Sequence, residues 1–109
     1  MEAHDDAIIE RLRHQIRSGN IRVSHHAHQE MVEDGFTLDE VLYAIASGQV
    51  IENYPQHRRG ACCLISGSTQ AGRPVHVVCT TTHPILIIIT VYEPKPPKWL
   101  TPTQRGQHL

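Results

Sequence analysis

The sequence of 109 residues has no excess of charge of either sign, no C-x-x-C pair and no long apolar run. Ten Lys and Arg stand against 11 Asp and Glu, a formal net charge of -1 with the histidines neutral. A chain so balanced has no global cationic field of the kind that dominates nonspecific nucleic-acid binding, so any such partner has to be held locally. The three cysteines are an odd set. Cys62 and Cys63 are neighbours whose side chains face opposite sides of a strand, and Cys79 stands in another apolar run, which argues against a disulfide framework and for buried free thiols in a reducing compartment. The longest apolar stretch, Ile85 to Ile89 with Val91 beyond it, is strand-length and far short of the roughly 20 residues a membrane helix requires. The N-terminal MEAHDDAIIERLRHQI carries acid where a secretory signal is basic and lacks an apolar h-region, so a soluble cytoplasmic protein is expected, with no membrane partner. Glycine-rich phosphate loops, nucleophile elbows and dinucleotide fingerprints are all missing.

Histidine is plentiful instead, nine in all, and makes the net charge respond to mild acid. The length suits a single core. Ile8, Ile9, Leu12 and Ile16 recur at helical spacing and Gly19-Asn20 closes that run, predicting an amphipathic first helix. Ile21 to Val23 is a short extended piece. Ser24 then caps a second helix that begins at His25, stops at Gly35 and buries Ala27 and Met31. Thr37-Leu38-Asp39-Glu40 matches a capping box, with Val41, Leu42, Ile45 and Ala46 at core spacing and Gly48 as a left-handed exit. An extended Val50–Tyr54 ends at Pro55. Residues 61–66, 75–81 and 85–92 are β-rich runs whose short connections imply antiparallel pairing. The proline-rich tail from Pro94 reads as a docked arm that frays after Thr101.

The fold expected is therefore α+β, with three N-terminal helices packed on a mostly antiparallel sheet of three or four strands. Residues 1–101 form one domain, with the first helix in 1–20 and a core in 21–94, and 102–109 form a flexible tail.

Five motifs follow in order over most of the chain: His26-Ala27-x-x-x-Met31, the run Gly35 to Val41, Ser47-Gly48-x-Val50-Ile51-Glu52, Gly72-Arg73-Pro74-x-His76-Val77-Val78, and Ile89-Thr90-Val91-Tyr92-x-Pro94 with Trp99. As a set they resemble a bacterial family catalogued only as a domain of unknown function, which in turn resembles the RelE/BrnT-like toxins. The resemblance implies a RelE-like fold and, for active members, cleavage of RNA without metal or cofactor. Arginine is usual in that family just before the helix methionine and just before the glycine, where this chain has Glu30 and Asp34.

Metal-free RNA cleavage needs a base for the 2'-hydroxyl proton, an acid for the leaving oxygen and cations around the phosphorane. His76, His26 and Tyr92 are the catalytic candidates. His76 lies amid Val75, Val77 and Val78, where desolvation has to be offset by some partner; a hydrogen-bonded structural histidine satisfies that equally well. His26 opens the second helix, whose dipole disfavours a protonated ring. Tyr92 ends the most apolar strand and can present its hydroxyl to a cleft. Arg58, Arg59 and Arg73 are candidates for phosphate binding, against a solvated hairpin. Trp99 is a candidate for base stacking, against a pin that holds the tail.

A cleft between the second helix and the sheet, holding His26, His76 and Tyr92, is thus the expected RNA site. Two other classes compete. One is an interaction module whose sheet edge or first helix pairs with an antitoxin or with a second copy in a homodimer. The other is metal binding through His25 with His28, or His26 with Glu30, completed by His57, His76 or a cysteine. Neither pair makes a site alone.

Overall fold

The computed structural model describes residues 2–106. Its first helix, α1 (Glu2–Arg17), ends where Gly19 turns with φ +73°. The apolar stripe Ile8, Ile9 and Leu12 is buried within the same chain, in the core that α1 shares with α3 and the sheet. Polar residues on α1 fix its position further. Arg11 donates to the carbonyls of Thr82 and His83, and Gln15 to those of His83 and Pro84, so α1 grips the last hairpin turn of the sheet.

Strand β1 (Ile21–Val23) leads directly into α2 (His25–Asp34). Ser24 caps α2 as expected: its hydroxyl accepts from the Ala27 amide at 3.0 Å and donates to the Ile89 carbonyl at 2.9 Å, so one side chain starts the helix and ties it to the sheet. Gly35 ends α2 in the left-handed region, and the Thr37/Glu40 capping box opens α3 (Leu38–Ser47). Gly48 departs from expectation. Its backbone is extended (φ -89°, ψ -166°), not left-handed. Glycine is required there for a different reason, since a Cβ would lie 2.5 Å from the Ala44 carbonyl oxygen and 2.6 Å from that of Ser66.

The main sheet adds β2 (Gln49–Tyr54), β3 (Cys62–Ser68), β4 (Pro74–Thr80) and β5 (Leu86–Tyr92), in the order β1-β5-β4-β3-β2. It has five strands, one more than the upper expectation, because both short extended pieces join it. Three of the four pairings are antiparallel; β1 runs parallel to β5, since α2, α3 and three strands intervene between them in the chain. A bulge in β5 between the partners of Val78 and Cys79 keeps both Ile88 and Val91 on the core side.

Strand alternation then sorts the residues into two faces. Cys63, Ile65, Val75, Val77, Cys79, Leu86, Ile88 and Val91 join α1, α2 and α3 in one core. On the opposite, helix-free face stand Ser66, His76 and Tyr92, which are register partners on β3, β4 and β5, and Glu52 on β2 opposite Leu64. Free Cys63 and Cys79 face each other across β3 and β4, and their contact together with burial raises the Cys79 thiol well above its ordinary pKa.

The chain stays engaged beyond Thr101, where fraying is expected. β6 (Trp99–Thr101) and β7 (Gln104–Arg105) pair as a small hairpin. Trp99 is only 2% exposed beneath it. The last part of the expected tail, 107–109, lies outside the described residues. Among the described residues, no helix is long and apolar enough to cross a membrane.

Candidate functional site

His76 is fully buried on the helix-free face, and its surroundings determine its protonation. Its Nε2 lies 2.5 Å from the Pro102 carbonyl oxygen, which can only accept, so Nε2 carries the proton. Nδ1 is then the acceptor, and the Tyr92 hydroxyl, 3.0 Å away, donates to it. Desolvation holds the His76 pKa below its ordinary value, against the opposing pull of the Pro102 carbonyl and of Glu52. The ring is a neutral imidazole with both nitrogens engaged.

The hairpin supplies the rest of the enclosure. The Ser66 hydroxyl donates to the same Pro102 oxygen at 3.2 Å, so two donors converge on one carbonyl. Trp99 packs edge-on against His76, ring centroids 4.4 Å apart, while the Arg105 guanidinium lies 4.7 Å from the centroid of the indole. The indole Nε1 is buried beside the Tyr92 oxygen without meeting hydrogen-bond geometry. Arg105 also forms a two-point pair with Glu52, at 2.6 and 2.8 Å, and this holds the Glu52 carboxyl below its usual range. The Tyr54 hydroxyl donates to that carboxylate. Burial raises the Tyr92 phenol above its ordinary pKa.

Of the three catalytic candidates, the structure brings together two. His26 lies on α2, on the helix-bearing side of the sheet, with its side chain 67% exposed and its Nε2 3.3 Å from Glu30. The expected cleft between α2 and the sheet therefore does not form around His76: alternation points Val75 and Val77 toward the helices and His76 away from them. Tyr92 remains the one candidate in contact with His76.

The proposed phosphate rim is dispersed as well. Arg73 stacks on Phe36 with its guanidinium carbon 3.8 Å from the ring centroid, pairs with Glu93 at 2.9 Å, and donates to the carbonyls of Gly35 and Asp34. It is a structural clasp between the α2 exit and the start of β4. Arg58 and Arg59 occupy the exposed β2–β3 turn. That turn enters β3 at Cys62, four residues along the strand from Ser66, the register partner of His76, or about 13 Å at the usual rise per strand residue. Trp99 pins the tail to His76, the structural role that competed with stacking.

Glu30 and Asp34 have a clear local task. β1 covers β5 only as far as Ile88. Beyond it, Glu30 accepts from the Val91 amide at 2.9 Å and Asp34 from the Glu93 amide at 3.1 Å, so α2 takes over the exposed edge of β5. Among the described residues, no group of three or more His, Cys, Asp or Glu is placed to hold a metal ion.

Ser66, Glu52, Pro102 and Arg105 were not legible as site residues. Two of them carried a faint signal, as polar side chains inside the β-rich runs ACCLIS and VIENY. Nothing in the sequence of a proline-rich tail says where it docks.

These elements define an α+β domain with three helices on one face of a mostly antiparallel sheet and a polar cluster on the other. A family model described as a domain of unknown function (DUF4258) matches residues 23–93, and the chain belongs to that family. The match takes in α2, α3 and β2 to β5, and leaves α1 and the C-terminal hairpin outside it. No curated protein and no solved structure matches the chain.

Proposed function

We propose that this chain is an RNA-binding domain of RelE/BrnT-like type, that its RNA surface is the helix-free face of the sheet, and that it does not cleave RNA while its C-terminal hairpin is docked. One observation carries the reading: Ser66, His76 and Tyr92 are register partners on a sheet face that no helix covers. They are of the kind single-stranded RNA binding draws on, with hydroxyl and imidazole donors for phosphate and, in Tyr92, an aromatic ring for a base. Exposed Lys95 and Lys98 lie on the segment leading into the hairpin, and Lys98 Nζ is 5.7 Å from the Tyr92 ring centroid. They supply local positive charge beside that face in a chain whose net charge is -1.

Cleavage in the closed form is disfavoured by the same geometry. A general base needs a free nitrogen within hydrogen-bond reach of the 2'-hydroxyl. Both nitrogens of His76 are occupied and the ring has no exposed surface.

The test is a titration of the full chain with labelled single-stranded RNA in chelator, followed by anisotropy, with intact RNA checked on a gel. Binding is expected to weaken with salt at about 0.7 log units per log unit of salt for each phosphate engaged. Absence of binding at low salt ends the RNA reading. Chelator-resistant cleavage that disappears in His76→Ala restores the ribonuclease.

A second reading, a protein-interaction module, has its own support in the sheet. β2 ends the strand order, with no strand on its outer side among the described residues, and an antitoxin segment or a second copy pairing there would extend the sheet. Sedimentation of the purified chain, alone and with the product of a neighbouring gene, tests it; a monomer in both cases rejects it.

A further inference from the structure

His76 and Ser66 form an oxygen-binding site that the chain itself fills. A neutral imidazole N–H and a hydroxyl, both on buried residues, point at one acceptor, the carbonyl of Pro102. Beside that carbonyl, the flat indole of Trp99 occupies the space between the His76 edge and the Arg105 guanidinium. A groove of about 450 Å³ opens against Pro102, with Ser66, Gly67, Ser68 and Pro74 among its walls, so the filled site continues into an accessible channel.

The occupant is attached in a way that suits displacement. It belongs to a short two-stranded hairpin, separate from the main sheet and carrying no strand pairing to it. Every hairpin residue from Leu100 to Arg105 is exposed, and only Trp99 is buried. Its charged anchor is a single side chain at the rim, Arg105, which is 47% exposed and holds the hairpin through its two-point pair with Glu52 and its place over the Trp99 ring, so loss of that one contact set is enough to loosen it. The hairpin also lies outside the residues that match the family.

We propose that the His76 Nε2–H and Ser66 hydroxyl bind a phosphodiester oxygen of single-stranded RNA, and that the 99–105 hairpin is an autoinhibitory strap whose Pro102 carbonyl and Trp99 indole stand in for the phosphate oxygen and a base. The assignment rests on the RNA reading above. An anionic oxygen in place of the carbonyl makes charge-assisted hydrogen bonds, roughly twice as strong as the neutral ones it replaces, which gives RNA its advantage over the strap. The base takes the indole's place in its edge-to-face contact with His76, an aromatic contact that any base can make.

Trp99 is the only tryptophan in the chain, so its emission reports the strap directly. The full chain is titrated with a labelled single-stranded RNA, with binding read from RNA anisotropy and strap release from the Trp99 emission maximum and iodide quenching in the same sample. Arg105→Ala, an exposed substitution, is the second arm, with its fold checked by circular dichroism. Wild type is expected to start blue and shielded, then shift red with the same midpoint as binding. Arg105→Ala is expected to be red-shifted before RNA is added and to bind several-fold tighter, about threefold to tenfold, despite losing a cation.

RNA binding with Trp99 still shielded overturns the strap and the site while the RNA reading survives. Failure of RNA to bind either form, with Arg105→Ala already red-shifted, removes the RNA reading and the phosphate assignment but leaves a strap that opens. An unshifted, equally shielded Trp99 in Arg105→Ala overturns the strap whatever RNA does. Inorganic phosphate alone releasing Trp99 as RNA does overturns the assignment to RNA.

Discussion

Tyr92→Phe removes a single oxygen and tests whether His76 is held as the geometry requires. The Tyr92 hydroxyl donates to Nδ1 of a ring with no exposed surface, at 3.0 Å. Deleting it leaves a buried acceptor without a donor, at a cost of about 1–3 kcal/mol. Tyr92 itself is only half-buried, so water reaches part of the gap and the lower half of that range, about 1–2 kcal/mol, applies. The unfolding entropy of a chain this size is about 0.23 kcal/mol/K, so the melting temperature should fall by about 4–9 °C. Thermal melts by circular dichroism measure the shift, with Tyr43→Phe as the control at an exposed ring, expected to stay within about 0.5 kcal/mol of wild type. Nitrogen-15 spectra of the imidazole give an independent readout: Nε2 protonated and Nδ1 bare. A Tyr92→Phe melt indistinguishable from wild type, or a proton on Nδ1, refutes the arrangement of Tyr92, His76 and Pro102.

The depressed pKa of His76 means that the native state stays neutral where the unfolded chain begins to bind a proton near pH 6.5. Its contribution to stability is therefore complete above the unfolded value and is lost as pH falls from about 6.5 toward the lower folded value; urea midpoints taken from about pH 7.5 to 5 should fall less steeply in His76→Phe than in wild type. Gly67→Ala would put a Cβ 2.2 Å from the Ala44 carbonyl oxygen, forcing α3 away from β3, and overpacking of this kind costs about 1–3 kcal/mol. A melting temperature about 4–13 °C lower is expected, and an unchanged one would mean that α3 does not rest on β3 as described.

Much of the scaffold was readable because its signals are local. Ser24, Gly35, Thr37 and Glu40 end or begin helices through bonds to residues within a turn of themselves, so their roles could be stated from spacing alone. The apolar stripes of α1 and α3 and the three longest strands were legible for the same reason. Gly48 shows the limit: the glycine is plain in the sequence, but its reason is the close approach of the Ala44 carbonyl and of Ser66 on β3.

The site was legible only as a list of residue types. That His76 needs a buried partner followed from the valines around it, yet the partner is Pro102, 26 residues away, brought there by a hairpin with no strong strand pattern. Arg73 read as a free cation because its four partners come from the α2 exit, Phe36 and Glu93. His26 read as a neighbour of His76 because both stand in the same set of motifs, whereas strand alternation sends them to opposite sides of the sheet. The sequence by itself determined the helix caps, the apolar faces and the α+β class, since each depends on neighbours a few positions apart. Only the tertiary structure decided which face His76 occupies and what covers it, because a β-strand side chain takes its surroundings from residues that the chain delivers from far away.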